Sequence, residues 1–341
     1  MYRYDCHTVA TELEMSSLLC LYNQQFYKKL SQSELTKLIN QHIEQSNADY
    51  VLPISIYKND KIISFCIVHL YKKEKIKNIG NLTFSLLISD LKEDSISLLF
   101  SSIFKEIRSQ GFNLDHIVGP IHNSILIPRG YRIFDDNIYT YGMPDNNLKT
   151  ILALENYGAV KRKDIVEILY KYNKYDLILT SLDSKFLRRI TDCKFELIDK
   201  DKIKKNSLEL AEAYNQIWKD NWGFSGITSE LILVAAESIP NILGMIAKKD
   251  NNIIGFTMMQ YCEGMGRAFM AGVLNLYKNK GLSIALISHL SKTSISRGVS
   301  MYSIGWMLED NKQIINTMKK FTRNGNSKLR SYRIYEIKYN V

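Results

Sequence analysis

A turn with two lysines and one glycine holds the residues best suited to bind a charged ligand. It lies in residues 273–283, which read VLNLYKNKGLS, between a predicted strand and a predicted helix. The first N–H groups of a helix have no partner within it, and the helix dipole adds positive charge there. Lys278 and Lys280 add further charge, and Gly281 lets the backbone approach a ligand closely. The turn is therefore predicted to bind a pyrophosphate group.

Other phosphate-binding signatures are absent from the chain. The sequence contains neither the Walker pattern G-x-x-x-x-G-K-[ST] nor a G-x-G-x-x-G run after a strand. A basic turn with one glycine also occurs in plain strand-to-helix connections, so that alternative stays open. The chain also lacks a serine elbow and an H-x-x-x-H pattern, which leaves a hydrolytic triad and a metal site without support.

The spacing of this turn resembles an acyl-CoA signature. Lys278-x-x-Gly281-x-Ser283 is similar to the R/Q-x-x-G-x-G/A pattern of the GCN5-related N-acetyltransferase (GNAT) superfamily. It departs from that pattern with Lys in place of Arg or Gln, and with Ser in place of the last Gly or Ala. Residues 214–224, 306–311 and 332–336 resemble a bacterial subfamily of large, tandem-domain GNAT acyltransferases. The resemblance is clear over residues 195–339 and weaker over residues 51–172.

This resemblance implies an acyl-CoA site in the C-terminal half of the chain. Its cofactor-binding residues would be Val273, Lys278, Lys280, Gly281, Leu282 and Ser283. Residues 269–273 would pair with the pantetheine arm, and residues 301–308 would splay away to form a slot. Asn311 matches a position that often hydrogen-bonds the arm in the superfamily, although Asn is equally suited to cap the helix predicted after it.

The resemblance also implies transfer of an acyl group to an amine that attacks the thioester directly. Such a reaction needs a group to accept the amine's proton and donors to stabilise the oxyanion, here backbone N–H groups near Val273. Residues 267–269 (RAF) occupy the stretch where superfamily members often carry a glutamate. Glu309 and Tyr335 remain as candidate catalytic residues. Alternatively, Glu309 is a solvated loop carboxylate and Tyr335 is a packed strand residue.

Three aromatic residues follow a predicted apolar helix and are candidates for binding substrate. They are Trp218, Trp222 and Phe224. In the superfamily this region covers the acceptor site, so the resemblance implies contact with an acyl chain or an aromatic acceptor. Packing in the hydrophobic core is the alternative, because large aromatic side chains dominate core energetics.

The pattern of the C-terminal half also occurs in the N-terminal half. A strand–turn–strand pattern leads to Phe65 in one half and to Phe256 in the other. In both halves a later amphipathic helix ends at a glycine, Gly111 or Gly298. The number of residues between Phe65 and Phe256 is nearly the same as that between Gly111 and Gly298. We therefore expect a structural repeat. The order of elements predicts an α/β fold with open mixed sheets. The resemblance implies that the two halves are tandem GNAT-like domains, 1–175 and 176–341.

The two predicted domains differ where a phosphate would bind. When the repeats are aligned, Gly281 falls opposite Asp94, which lies in the acidic run SDLKEDS at residues 89–95. Acidic residues suit the first turn of a helix but repel phosphate. The first domain is therefore predicted to be structural or substrate-lining, and the second to be catalytic.

Composition limits the classes of partner. The 341 residues carry a formal net charge of +10, which favours an anionic partner such as a CoA nucleotide, an acidic carrier protein, a nucleic acid or a membrane surface. Alternatively, the lysines only keep the surface soluble. The basic residues are scattered, which argues against a nucleic-acid-binding tail. The 5 cysteines are far apart and form no C-x-x-C, so neither a zinc site nor a disulfide framework is expected. With no apolar signal core and no run of roughly 18 apolar residues, a soluble cytoplasmic protein is expected.

Together with these observations, the resemblance implies an acyl-CoA-dependent N-acyltransferase that acts on a small-molecule amine and needs no metal. An acyl-carrier protein is the alternative donor, because a basic surface suits an acidic carrier. A non-catalytic tandem protein that binds CoA or a protein partner is the alternative function. The glutamate that superfamily members often carry on the strand before the turn is missing, and so is their usual tyrosine on the helix after Asn311, where Phe321 lies near that position. Nucleic-acid binding rests on net charge alone, and it would show a steep dependence on salt.

Overall fold

The structure, a computed structural model, describes residues 2–6, 11–172, 193–322 and 327–339. It forms two compact units: unit 1 comprises Met1–Ile165 and Ser331–Val341, and unit 2 comprises Val166–Arg330. The predicted domain boundary at residues 175 and 176 lies outside the described residues, so that division stays a prediction. The sequence predicts residues 331–341 in the second domain, whereas the structure places them in unit 1.

Unit 1 is a mixed sheet with helices. Its described helices are α1 (Glu12–Gln25), α2 (Gln32–Glu44), α3 (Glu93–Ser109) and α4 (Leu148–Asn156). Its strands are β1 (Tyr2–Asp5), β2 (Tyr50–Lys58), β3 (Lys61–Leu70), β4 (Leu82–Ser89), β5 (His116–Gly119), β6 (Tyr131–Arg132), the first part of β7 (Val160–Lys171) and the last part of β13 (Ser327–Lys338). The strand order is β1-β2-β3-β4-β5-β13-β7, with β6 paired to β13. The end of β13 belongs here because Tyr335 pairs with Gly119 and Lys338 with His116.

Two apolar clusters hold the helices of unit 1 to the sheet. α3 packs through Ile96 and Phe100 in the cluster that contains Cys66 of β3. α1 packs through Leu18 in the cluster that contains Phe65 of the same strand. Because successive residues of a strand point to opposite faces, Phe65 and Cys66 show that the two clusters lie on opposite faces of the sheet.

Unit 2 repeats this architecture. Its described helices are α5 (Lys200–Lys205), α6 (Ser207–Trp218), α7 (Ser229–Ser238), α8 (Leu282–Ser296) and α9 (Lys312–Phe321). Its strands are β8 (Lys194–Ile198), β9 (Ile242–Lys249), β10 (Asn252–Cys262), β11 (Met265–Val273), β12 (Met301–Leu308) and the remaining parts of β7 and β13. Five strands and the end of β7 follow the order β7-β12-β11-β10-β9-β8. Within the described ranges no helix is long and apolar enough to cross a membrane.

The two faces of the unit 2 sheet carry different helices. α8 packs through Leu286 in a cluster that contains Met259 of β10 and Tyr302 of β12. On the other face, the Trp218 ring at the end of α6 contacts the Phe256 ring edge-on, with centroids 5.6 Å apart. Phe256 and Met259 are three residues apart on one strand, which places α6 and α8 on opposite faces.

The predicted repeat is present in both units as strand, hairpin, strand, helix and strand. The hairpin turns at residues 59–60 and 250–251 all have positive φ, between 49° and 64°, as a tight two-residue turn requires. Gly111 and Gly298 follow α3 and α8 with φ of 85° and 87°, the left-handed form expected after a helix. The prediction of an α/β fold with two tandem repeats is therefore confirmed.

Candidate functional site

Two parallel strands of unit 2 pair at one end and part at the other. β11 and β12 pair from Met265 opposite Met301 to Ala268 opposite Ile304, and the described pairing stops there. Residues 269–273 and 305–308 leave a gap between them, which we call the strand slot. Backbone N–H and C=O groups along the slot do not pair with the facing strand, so an extended ligand can pair with them.

Both strands are irregular where the slot begins. On β10, Met258 lies opposite Met270 and Met259 opposite Ala268, so Phe269 is the extra residue of a β-bulge on β11. A bulge takes its extra residue out of the hydrogen-bond ladder and bends the strand. On β12, Trp306 has a φ of 51°, a conformation that costs a bulky side chain on the order of 1–3 kcal/mol. Strain at this level is typical of sites whose geometry serves a function.

The predicted phosphate turn follows β11 directly. A short 3₁₀ helix (Asn275–Tyr277) leads to the exposed Lys278 and Lys280, and α8 begins after Gly281. Gly281 has a φ of 85°, which favours glycine over any residue with a side chain. No side chain caps α8, and the N–H groups of residues 282–284 have no acceptor among the described residues. Three open donors and two lysines therefore belong to one turn, which we call the basic turn.

The start of α9 lies beside the basic turn. Gln313 Nε2 donates to Asn279 Oδ1 at 3.4 Å. Asn311 caps α9, because its Oδ1 accepts from the N–H of Ile314 at 3.3 Å. The capping role of Asn311 is thus confirmed, while its contact with a pantetheine arm stays a prediction. Glu309 is half-buried between β12 and α9, so Glu309, Asn311 and the basic turn share one end of the strand slot.

The predicted aromatic residues lie at the end of α6 and in the loop after it. The ring of Tyr214 is 4.7 Å from that of Trp218 and 6.0 Å from that of Phe224, centroid to centroid. Trp218 also covers β11 closely: a Cβ added to Gly272 would lie 2.7 Å from Trp218 Cζ2. Trp218 therefore packs on the strand that borders the slot. Trp222 and Phe224 are half-buried, and their contact with a substrate stays a prediction.

Tyr335 differs from the other predicted residues because it belongs to unit 1. Its side chain is 0% exposed, and its hydroxyl donates to Glu155 Oε1 at 2.9 Å. Burial, and then the hydrogen bond to Glu155, raise the pKa of the Tyr335 phenol. A buried phenol already bonded to a carboxylate is badly placed to give a proton to a substrate. The structure thus argues against the predicted catalytic role of Tyr335 and favours the packing alternative.

In the turn of unit 1 that corresponds to the basic turn, backbone N–H groups donate hydrogen bonds to side chains of the turn itself. Between β4 and α3, the N–H of Leu91 donates to Ser89 Oγ at 3.1 Å. The N–H of Lys92 donates to Asp90 Oδ1, also at 3.1 Å. Glu93 and Asp94 occupy the first turn of α3, where their charges complement the helix dipole and repel phosphate.

Unit 1 also has the bulge and the parting strands, but its slot is filled. Ser85 is the extra residue on β4, and β4 and β5 share a single described pairing. The chain that follows β5 enters the gap, where the N–H of Ile121 donates to the carbonyl O of Phe84 at 2.8 Å. A Cβ on Gly119 would lie 2.4 Å from that same oxygen. Residues 119–121 therefore occupy the place that a ligand would need.

Three buried histidines surround the bulge of unit 1. His42 Nδ1 and His69 Nε2 each lie 2.7 Å from Ser85 Oγ, and His122 Nε2 lies 3.1 Å from the carbonyl O of His42. Burial lowers the pKa of His42 to about 3 and that of His122 to about 4, and holds the pKa of His69 well below its usual value. These imidazoles are therefore neutral and serve the hydrogen bonds of the closed bulge.

Sequence reasoning missed a buried ion pair in unit 2. Arg330 Nη1 lies 3.3 Å from Glu167 Oε2, and both side chains are almost fully buried. The Oγ of Ser303 donates to the other oxygen of Glu167. A glutamate in the apolar run IVEILY (residues 165–170) was the available signal, because a buried charge needs a partner. The partner itself comes from a distant strand and has no local signature.

Comparison with known proteins reveals likeness of structure. No protein-family model and no curated protein sequence matches the chain. A tandem GNAT protein from the clavulanic acid biosynthesis pathway, solved without acetyl-CoA, matches with a TM-score of 0.59 and 8% identity over 100% of this chain and 99% of that one. GCN5-related N-acetyltransferases from Kribbella flavida and Sphaerobacter thermophilus each cover 99% of this chain, with TM-scores of 0.55 and 0.53, identities of 9% and 11%, and 72% and 95% of their own lengths. At these identities the likeness establishes the fold. The chain has the tandem GNAT fold.

Proposed function

We propose that the protein binds an acyl-CoA in unit 2 and transfers the acyl group to an amine. The observation that carries the proposal is the strand slot with the basic turn at its end. A slot of unpaired backbone fits the extended pantetheine arm, and the open N–H groups of α8 with two lysines fit a pyrophosphate. Unit 1 has the same backbone plan with a filled slot and an acidic turn, so we assign it no acyl-CoA.

The reaction that fits this arrangement is direct aminolysis of the thioester. The amine nitrogen forms a bond to the acyl carbon, the carbon–sulfur bond breaks, and the thiolate leaves. Backbone N–H groups of residues 269–273, which include the bulged Phe269, stabilise the oxygen that gains negative charge. We assign Glu309, at the end of β12, to accept the proton that the amine loses; because Glu309 lies at the basic-turn end of the slot, the proton would reach it through water. Trp222 and Phe224 border the acceptor in this proposal.

The donor is an acyl group on a pantetheine arm, of acetyl length or longer. The arm arrives on CoA or, as the alternative, on an acyl-carrier protein, and the net charge of +10 suits either anionic carrier. The acceptor is a small-molecule amine.

Ligand-dependent thermal unfolding and titration calorimetry test the proposal. The ligands are acetyl-CoA, longer acyl-CoAs, free CoA and ATP. A ligand present at 100 times its Kd should add about 2.7 kcal/mol to the free energy of unfolding. We expect stabilisation by CoA species and not by ATP, with one binding site per chain. Two equal sites would contradict the assignment to unit 2 alone, and no response to any CoA species would exclude CoA as the donor.

Turnover distinguishes the proposed enzyme from a tandem protein that only binds. Release of free thiol from acetyl-CoA in the presence of amines would support catalysis. Tight CoA binding with no thiol release over a broad panel of amines would favour the non-catalytic alternative, which the residues 267–269 (RAF) in place of a strand glutamate motivate.

A further inference from the structure

A row of polar side chains crosses the face of the unit 2 sheet that α6 covers. Gln260 of β10 pairs directly with Arg267 of β11, and Arg267 pairs directly with Ser303 of β12. Ser303 bonds to Glu167 of β7, which bonds to Arg330 of β13. Paired residues of neighbouring strands share a face. We call these five residues the polar row.

The polar row lies on the acceptor side of the strand slot. Gln260 is four residues from Phe256 on the same strand, and Phe256 contacts Trp218 of α6, so both side chains point to the α6 face. Arg267 stands one residue before the last paired position of β11 and β12, which is Ala268 opposite Ile304. The row therefore meets the slot at the point where the strands part.

The polar row carries a net positive charge. It holds two guanidinium groups, Arg267 and Arg330, and one carboxylate, Glu167. Glu167 and Arg330 are 0% and 2% exposed, while Arg267 is only half-buried. Arg267 is thus the guanidinium of the row that lies beside the slot.

Aromatic rings hold the Arg267 guanidinium at the mouth of the slot. Its Cζ lies 5.3 Å from the centroid of the Trp306 ring and 5.8 Å from that of the Phe269 ring. Phe269 is the bulged residue, and Trp306 has the strained φ of 51°. The two backbone irregularities therefore place the rings that frame one arginine. A guanidinium held in this way keeps its planar donor fork in a fixed orientation.

Gln260 supplies a second, independent indication of a ligand. Its side chain is 3% exposed, and its Nε2 has no hydrogen-bond partner among the described residues. A buried amide donor without a partner costs free energy of about 1–3 kcal/mol. An oxygen acceptor from a ligand beside Arg267 would remove that cost.

We propose that the acyl acceptor is an amine that also carries a carboxylate, as an amino acid does. The carboxylate binds the fork of Arg267 and accepts from Gln260 Nε2, so that the amine is directed to the thioester in the strand slot. A planar carboxylate matches the two-donor geometry of arginine better than a single neutral oxygen does. This inference rests on the proposed acyl transfer in unit 2.

Matched pairs of acceptors test the inference. Acetyl transfer from acetyl-CoA is measured for several amino acids and for the corresponding amino acid amides. The amine of an amino acid amide is less basic than that of the acid, so a larger fraction of it is unprotonated at neutral pH. Without recognition of the carboxylate, the amide would therefore be the better nucleophile. We expect the best acid to exceed its amide at least 10-fold in kcat/KM. Equal rates, or a preference for the amides or for simple amines, would overturn the inference.

Variants of Arg267 show whether the preference arises at the polar row. In Arg267→Gln the ratio of kcat/KM for the acid to that for the amide should fall to one or below, and Arg267→Lys should retain part of the preference for the acid. The Kd of acetyl-CoA should stay unchanged in both variants. Arg297→Gln is the matched control, because Arg297 also lies over an aromatic ring, that of Tyr261 at 5.7 Å, outside the row. A ratio that survives in Arg267→Gln would overturn the inference.

A binding measurement keeps this test separate from that of the proposed function. The probes are N-acetylated amino acids and their amides, titrated into the protein with free CoA present. Selective binding of the acids, lost in Arg267→Gln, would support the carboxylate site even if no turnover occurred. Failure of CoA itself to bind would reject the proposed function, whereas CoA binding with no selection for the acids would reject the inference alone.

Discussion

In unit 1 the bulged strand β4 leads into an acidic turn, whereas in unit 2 the bulged strand β11 leads into a basic one. The unit 1 turn bonds its N–H groups to Ser89 and Asp90 and begins its helix with two carboxylates. The unit 2 turn has Gly281 with φ of 85° and three N–H groups without an acceptor. The same backbone plan thus gives a turn whose N–H groups are bonded to its own side chains in unit 1, and a turn with N–H groups that have no acceptor among the described residues in unit 2.

The gap between the parted strands is also filled in unit 1 and, among the described residues, open in unit 2. In unit 1 the bulge residue is Ser85, which lies between His42 and His69, and Ile121 takes the hydrogen bond of the parted strand. In unit 2 the bulge residue is Phe269, beside the guanidinium of Arg267. A few side chains and one loop fill the gap of unit 1, because buried polar groups of parted strands need partners and the chain supplies them there.

The largest expected effect separates the two predicted catalytic residues. Glu309→Gln should lower turnover about 100-fold or more, because a general base contributes roughly 10²–10⁴-fold. Tyr335→Phe should leave turnover unchanged and lower the free energy of unfolding by about 1 kcal/mol, through loss of the hydrogen bond to Glu155. Steady-state kinetics and urea unfolding of both variants measure this. Lost turnover in Tyr335→Phe at unchanged stability would restore Tyr335 to the reaction.

Acid should destabilise unit 1 before unit 2. His42, His69 and His122 have folded pKa values below the ordinary 6.5, so the unfolded chain binds more protons as the pH falls below that value. The stability they contribute is fully present above about pH 6.5 and falls by about 2 kcal/mol for each imidazole between pH 7 and 5. Arg129 also disfavours the charged form of His122. Hydrogen exchange of α2 and β3, as opening free energies at both pH values, measures this loss.

An internal control for the acid experiment comes from the tryptophans. Trp218, Trp222 and Trp306 are the 3 tryptophans of the chain, and all lie in unit 2. As the pH falls, the tryptophan fluorescence should change only at a lower pH than the one at which α2 and β3 lose their protection from hydrogen exchange. Unchanged protection of these elements at pH 5 would refute the assignment of the acid sensitivity to the buried histidines.

Charge reversal should affect the two turns unequally. Lys278→Glu with Lys280→Glu should raise the Kd of acetyl-CoA about 10–100-fold, because two attractive contacts with phosphate become repulsive. The matched control reverses two exposed lysines near the corresponding turn of unit 1, Lys61→Glu with Lys92→Glu. Calorimetry should find the control close to the unaltered protein. Equal losses in both double variants would mean that net charge, and not the basic turn, determines the affinity.

The smallest expected effect concerns the two roles of Asn311. Asn311→Ala should lower the free energy of unfolding by about 1 kcal/mol, because α9 loses its cap. Asn311→Ser should restore most of that stability, since serine caps helices well. If Asn311 also bonds the pantetheine arm, the Kd of acetyl-CoA should rise in both variants. An unchanged Kd in Asn311→Ser would leave Asn311 with the capping role alone.

Features that depend on neighbouring residues could be predicted from the sequence. The hairpin turns at residues 59–60 and 250–251, the helix ends at Gly111 and Gly298, and the basic turn all follow from local backbone preferences. The repeat was visible because both halves carry these same local signals in the same order. The bulge at Phe269 could not be predicted, because it appears only when β11 is set against β10.

The sequence by itself determined the two repeated units, their turn chemistry and the position of the basic turn, because these depend on periodicity and on residue types close together in the chain. Only the tertiary structure decided that Tyr335 packs in unit 1 against Glu155, that Glu167 pairs with Arg330, and that the slot of unit 1 is filled. Each of these contacts joins residues that are far apart in sequence. Burial selects such partners, since a polar group removed from water must be paired by whichever segment packs against it.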